Sequence, residues 1–278
     1  MNAFRSMGCD VALGSDVPVE RVRWLFDERD RRFSRFNPSS ELNRVNATPQ
    51  GVTVVSEELA SMLSLSLDAA RATDGLVTPA VGSAVLAAGY DRDFSLLPPD
   101  GDAVEPERVP GFESISLRGR VLLRTVPVLL DLNGVVKGKT VDDALALAGE
   151  GWISAGGDLA TSEPIVVGLP GGHTILVESG GLATSSVAVR AWQRGGERQH
   201  HLIDPASGAP ARTPWSDVTV AAPSCLVADI AAKAALLLGS AGPGWLDGRQ
   251  LPGRFIGRDG SVLVNQHWRH RVPDRAAA

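Results

Sequence analysis

Cysteine is almost absent from this chain: Cys9 and Cys225 are the only two in 278 residues. Two such positions make neither a disulfide framework nor a zinc spacing. Cys225 lies in an apolar run and reads as a small core filler. Lysine is scarce too. Of 27 basic residues, only Lys137, Lys139 and Lys233 are lysine. A lysine kept in such a chain offers a compact ammonium that a guanidinium cannot mimic. Excess positive charge is missing, with a net charge of −5 and a pI near 5.6, so no basic surface argues for nucleic acid. No apolar run reaches the roughly 18 residues of a membrane span. The opening MNAFRSMGCD has no apolar signal-peptide core, and Cys9 does not read as a lipidated cysteine, so a cytoplasmic protein is expected.

What is present predicts an α+β fold in a single compact unit over residues 1–278. Residues 4–13 read as a first strand. Ser15 or Asp16 is expected to cap a helix with Pro18 in its first turn and Val22, Leu25, Phe26 and Phe33 on one face. The segment SRFNPSSELNRVN, residues 34–46, reads as a polar loop. Leu59, Met62, Leu63, Leu67 and Ala70 recur at helical spacing, with Gly75 as the stop. Residues 97–110 read as an exposed loop. From residue 112 the period changes to two: a hairpin around Arg118-Gly119, then a strand over 128–132. Further strands are expected at 152–155, 165–169 and 174–178, and a strand pair around Asp259-Gly260 near the C-terminus.

Five segments carry chemistry. In LLDLNGVVKGK, residues 129–139, an apolar strand delivers Asp131, and a glycine turn leads to Lys137 at the mouth of a helix. Backbone N–H groups at a helix N-terminus beside an ammonium suit a phosphate-bearing ligand, and a plain strand-to-helix turn with a solvated lysine reads equally well. The P-loop spacing is absent. AGGD at 155–158 and GLATSS at 181–186 are small-residue corners that would admit a ligand against bare backbone. In HHLIDPASG, residues 200–208, His200 and His201 face opposite ways on a strand, and the inward one is a candidate general base or an ordinary structural histidine. Asp229 and Lys233 stand at i and i+4 on an apolar helix, with Asp229 expected in its first turn. In apolar surroundings such a pair needs a partner or a metal.

Taken in order, these segments resemble the ApbE-type FAD:protein FMN transferase family. Met7-Gly8 matches an N-terminal Met-Gly, and SRFNPSSELNRVN a Ser/Phe-rich loop ending in Asn. TDGLVTP at 73–79 is similar to TGAFDP, DLNGVVKG to DLGGIAKG, AGGD to NAGGD, and GLATSS to ALATSG. HLIDPASG is similar to HIIDPRTG, and the segment from Val218 to Gly239 to VTVIAPTAMEADALATALFVLG. The resemblance implies an α+β fold, FAD as substrate and Mg2+ as metal. It also implies a partner protein whose Ser or Thr hydroxyl receives FMN as AMP leaves. It assigns His201 as the catalytic base. It places Met7, Phe36, Leu76, Val77, Thr78, Asp131, Lys137 and Ile203 on FAD, and Gly134, Asp229 and Ala232 on the metal. Three residues depart from the family pattern: Lys233 stands for a metal-binding Thr, Thr78 for an Asp, and Ser154 for an Asn. A protonated lysine has no lone pair for magnesium. Lys233 either turns aside, or sits where the ion would sit, or leaves a site that binds FAD without transfer. A hydrolase splitting FAD to FMN and AMP, and a non-catalytic flavin carrier, are the rival activities.

Overall fold

Strictly alternating burial builds the first layer. In Cys9–Leu13 the odd residues Cys9, Val11 and Leu13 point inward while Asp10 is exposed. The computed structural model describes residues 2–14, 16–271 and 274–275. The chain divides into two compact units, each drawn from separate stretches of sequence. One holds Met1–Asp27, Lys137–Ala188 and Arg212–Ala278; the other holds Glu28–Val136 and Val189–Ala211. The fold is α+β.

The first unit is organised by an eight-stranded sheet. Its strands Asn2–Ser6, Cys9–Leu13, Trp152–Ala155, Asp158–Thr161, Gly180–Ser186, Trp215–Ala222, Gly253–Gly257 and Val262–Val264 lie side by side in chain order. Every neighbouring pair is antiparallel. The single strand expected at 4–13 is two strands. Met7 and Gly8 turn between them with φ of 50° and 68°. A two-residue hairpin turn needs that left-handed geometry, which glycine adopts freely and methionine rarely. The expected cap at Ser15 lies outside the described residues, and the helix itself runs Val19–Phe33. Val22 and Phe26 from that helix, Val11, Leu13, Ile153 and Cys225 form a core with no exposed surface.

Residues 180–186 are not a corner but a central strand. The glycine at 181 has a packing cause. The helix Cys225–Leu237 crosses this strand so closely that a Cβ on Gly181 would lie 2.2 Å from both the Cys225 nitrogen and the Ser224 carbonyl carbon. Gly181→Ala is therefore expected to destabilise the protein by about 1–3 kcal/mol, as overpacked sites do. The urea midpoint checks this, and an unchanged midpoint would mean the helix can retreat.

In the second unit the helix Glu57–Ala72 buries Leu59, Leu63, Leu67 and Ala70 at the expected spacing. A three-stranded antiparallel sheet, with Val121–Arg124 between Gly51–Val54 and Ile115–Arg118, completes it. Arg124 has no exposed surface and donates to the carbonyls of Val128 and Val45 at 3.0 and 2.9 Å. Two expectations fail here. The loop at 34–46 ends in a helix, Glu41–Asn46, because the Ser40 hydroxyl caps it by accepting from the Asn43 N–H at 3.0 Å. Residues 128–132 are not a strand. The Asn46 side chain satisfies both the N–H and the carbonyl of Leu130, and Asp131 N–H donates to Pro79, so no ladder forms. Among the described residues, no helix is long and apolar enough to cross a membrane.

Candidate functional site

Within the first unit, two helices and one strand bring charged groups together in a buried setting. The helix Val136–Ala148 places Lys137 in its first turn, as the sequence predicts. Lys137 Nζ lies 2.8 Å from Asp158 Oδ2 and 3.4 Å from the Gly156 carbonyl oxygen. Asp158 opens the strand after the Gly-Gly turn and has no exposed surface. Asp229 and Lys233 pair one turn apart on the helix Cys225–Leu237, through Asp229 Oδ1 and Lys233 Nζ. Gly138 keeps this arrangement tight, since a Cβ there would sit 3.0 Å from Leu226 Cα and 3.3 Å from Asp229 Oδ2. Asp142 ties the two helices together by accepting from the Cys225 and Leu226 N–H groups at 2.8 and 2.9 Å. Asp229 is not in its helix's first turn. It is the fifth residue after the Ser224 cap, too far along for the helix dipole to stabilise its charge.

The electrostatics follow from burial. Loss of solvent, and then the Asp229 carboxylate, push the Asp158 pKa up to about 6 against the opposing lysines. Burial works against the Lys137 ammonium, but the Asp158 and Asp229 carboxylates outweigh it and raise its pKa. Burial also lifts the Cys225 thiol well above its ordinary value, which keeps it an unreactive core group.

The second unit gathers a different set. Arg35 Nε lies 3.1 Å from Asp131 Oδ2, and both side chains are buried. The guanidinium is stacked between Phe36 and Tyr90, 4.2 and 4.4 Å from the ring centroids. Tyr90 continues to Trp192 at 5.1 Å, and Ile203 packs into the same apolar cluster. Burial draws the Arg35 pKa down, with the Asp131 charge opposing it. Val77 is buried, and a Cβ on Gly134 would lie 3.1 Å from its Cγ1. The Thr78 hydroxyl caps the next helical turn by accepting from the Ala80 N–H at 3.2 Å. Of the two adjacent histidines, the inward one is His200, whose Nε2 is 3.1 Å from the Ala211 carbonyl oxygen. His201 is half-buried at the bend that follows.

A model of the ApbE family matches residues 7–254. The chain belongs to the ApbE family. Two relatives named FAD:protein FMN transferase fit that placement. The one from Chlamydia pneumoniae is 26% identical over 244 residues, covering 79% of this chain and 78% of that protein. The one from Treponema pallidum is 27% identical over 260 residues, covering 80% and 71%. The crystal structure of the ApbE protein from Thermotoga maritima superposes with a TM-score of 0.82 at 23% identity, covering 96% of this chain and 97% of that one.

ApbE family membership raises the fit of a metal at Asp229. Magnesium takes hard oxygen ligands in near-octahedral geometry. Here Asp229 Oδ1 already holds the Lys233 ammonium. The Ala232 carbonyl belongs to a helix interior, where it is committed to the ladder of backbone hydrogen bonds. Among the described residues, no three His, Cys, Asp or Glu side chains gather as a metal site. These residues do not fit a magnesium ion held by Asp229.

Two site residues escaped the sequence reading. Asp158 left a signal, as a carboxylate directly after Gly-Gly in a chain whose few lysines each need explaining. Arg35 left none, because an arginine in a polar segment reads as solvated.

Proposed function

We propose that this chain transfers FMN from FAD to a Ser or Thr hydroxyl of an acceptor protein. The hydroxyl oxygen attacks the phosphorus on the FMN side of the pyrophosphate. The P–O bond to the AMP phosphate breaks, AMP leaves with that oxygen, and His201 takes the hydroxyl proton. The observation that carries this proposal is the family match over residues 7–254, which reaches into both units.

The local chemistry supports the same roles. Lys137 offers an ammonium in the first turn of a helix whose N-terminus favours anions, which suits phosphate oxygens. In its own unit, Met7 has a strained turn backbone that a methionine keeps only under constraint. In the second unit, Phe36 and Ile203 belong to an aromatic and apolar wall suited to a flavin or an adenine, with Asp131 as its buried carboxylate. We assign the segment Leu76, Val77 and Thr78 of the same unit to FAD as well.

AMP release from FAD, measured with and without an acceptor peptide carrying Asp and Ser/Thr residues, tests the proposal. Acceptor-dependent AMP is the expected result. Equal AMP and free FMN without acceptor would make the protein a hydrolase, and bound FAD with no AMP would make it a carrier.

A further inference from the structure

Charge balance at the Asp158 and Asp229 carboxylates is complete without a metal. Each carries one ammonium: Lys137 on Asp158 Oδ2, and Lys233 on Asp229 Oδ1. The Asp229 and Lys233 side chains are only 3% and 15% exposed, so this is not a solvated helix-surface pair. Removing two ions from water is costly, and such a pair persists when its geometry compensates. A divalent ion would add two positive charges beside two ammoniums already held at short range. Coulomb repulsion in a poorly solvated site opposes that strongly. Lysine also donates only, and offers a metal nothing. Asp158 Oδ1 and Asp229 Oδ2 are buried without a hydrogen-bond partner, and Asp158 Oδ2 has only its ion pair with Lys137. Removing Lys233 would leave both Asp229 oxygens unpaired and open to a cation.

We propose that Lys233 is the resident cation of this carboxylate site, and that the chain binds FAD with no divalent ion at Asp229. Its assignment to flavin rests on the transferase proposal; its assignment to Asp229 rests on the ion-pair geometry alone. The ammonium has three N–H donors and meets one Asp229 oxygen, so it keeps donors, as a fixed part of the chain, for the pyrophosphate oxygens.

The test is Mn2+ binding to the full chain, followed by electron paramagnetic resonance, in wild type, Lys233→Thr, Asp229→Asn and the Lys233→Thr/Asp229→Asn double variant. Wild type and Asp229→Asn are expected to bind Mn2+ equally weakly. Lys233→Thr should bind it about 10-fold tighter or more, a typical scale for reshaping a metal site, and the double variant should lose that gain. Thermal melts guard against misfolding: Mn2+ should raise the Tm of Lys233→Thr and leave wild type unmoved. Lys233→Gln provides a second variant with the same expectation. Wild-type Mn2+ binding that Asp229→Asn weakens 10-fold would overturn the proposal. Quenching of FAD fluorescence in EDTA separates the two layers. Wild type should bind FAD there undiminished. A requirement for added metal would overturn the metal-free reading, and no FAD binding under any condition would instead overturn the flavin reading.

Discussion

His201→Ala is expected to lower the rate of AMP release at saturating FAD by about 10²–10⁴-fold, the usual worth of a positioned general base. FAD affinity should hold, because the proposed role is proton transfer and not binding, so the change falls on kcat while KM stays. The neighbouring histidine serves as the control. His200 is buried and spends Nε2 on the Ala211 carbonyl, so its replacement should lower Tm more than it lowers kcat. Reversed behaviour, with kcat lost in His200→Ala and kept in His201→Ala, would move the base to His200.

Lys137→Met should be the most destabilising single change in the charged cluster, by about 3–5 kcal/mol near neutral pH, because it leaves a buried carboxylate uncompensated. Asp158 has no exposed surface to relieve that charge. The loss should depend on pH with a definite sign. Folding raises the Asp158 pKa from 3.8 to about 6, so the folded state holds its proton in a range where the unfolded chain has released it. The stability this contributes is complete below the ordinary value and is lost as pH rises through about 6. Lys137 is one of the groups that lower the Asp158 pKa, so removing it moves that loss to higher pH and deepens it. Urea unfolding at about pH 5 and about pH 8 should show a smaller gap between wild type and variant at the lower pH, where the carboxyl takes up a proton. An equal gap at both would mean that Asp158 is not the group left exposed by the change.

How far the sequence reveals this molecule depends on whether a residue's role is local. The helix Glu57–Ala72 is legible from Leu59, Leu63 and Leu67 because its apolar face needs only helical periodicity. The run at 128–132 looks like a strand, yet the Leu130 backbone bonds Asn46, 84 residues away, and nothing in the pattern announces that. The Met7-Gly8 turn hides because methionine is not a residue expected at positive φ. The GLATSS segment looks like a corner but is a strand, and its Gly181 leaves room for the helix Cys225–Leu237, a close approach that spacing along the chain does not announce. The scarce lysines were the better guide. All three pair with aspartates, Lys137 with Asp158, Lys139 with Asp143 and Lys233 with Asp229, and the first and last of these pairs form the buried cluster. The meeting of Asp158 with Lys137 stays hidden because the partner lies on another element, and spacing along the chain cannot show it.

The most direct test of the account is the intact mass of an acceptor peptide after incubation with FAD and the purified chain. A mass gain equal to FMN, localised to a Ser or Thr and matched by AMP in equal amount, is the predicted result. AMP with an unmodified peptide and free FMN, persisting across acceptors of this type, would contradict it.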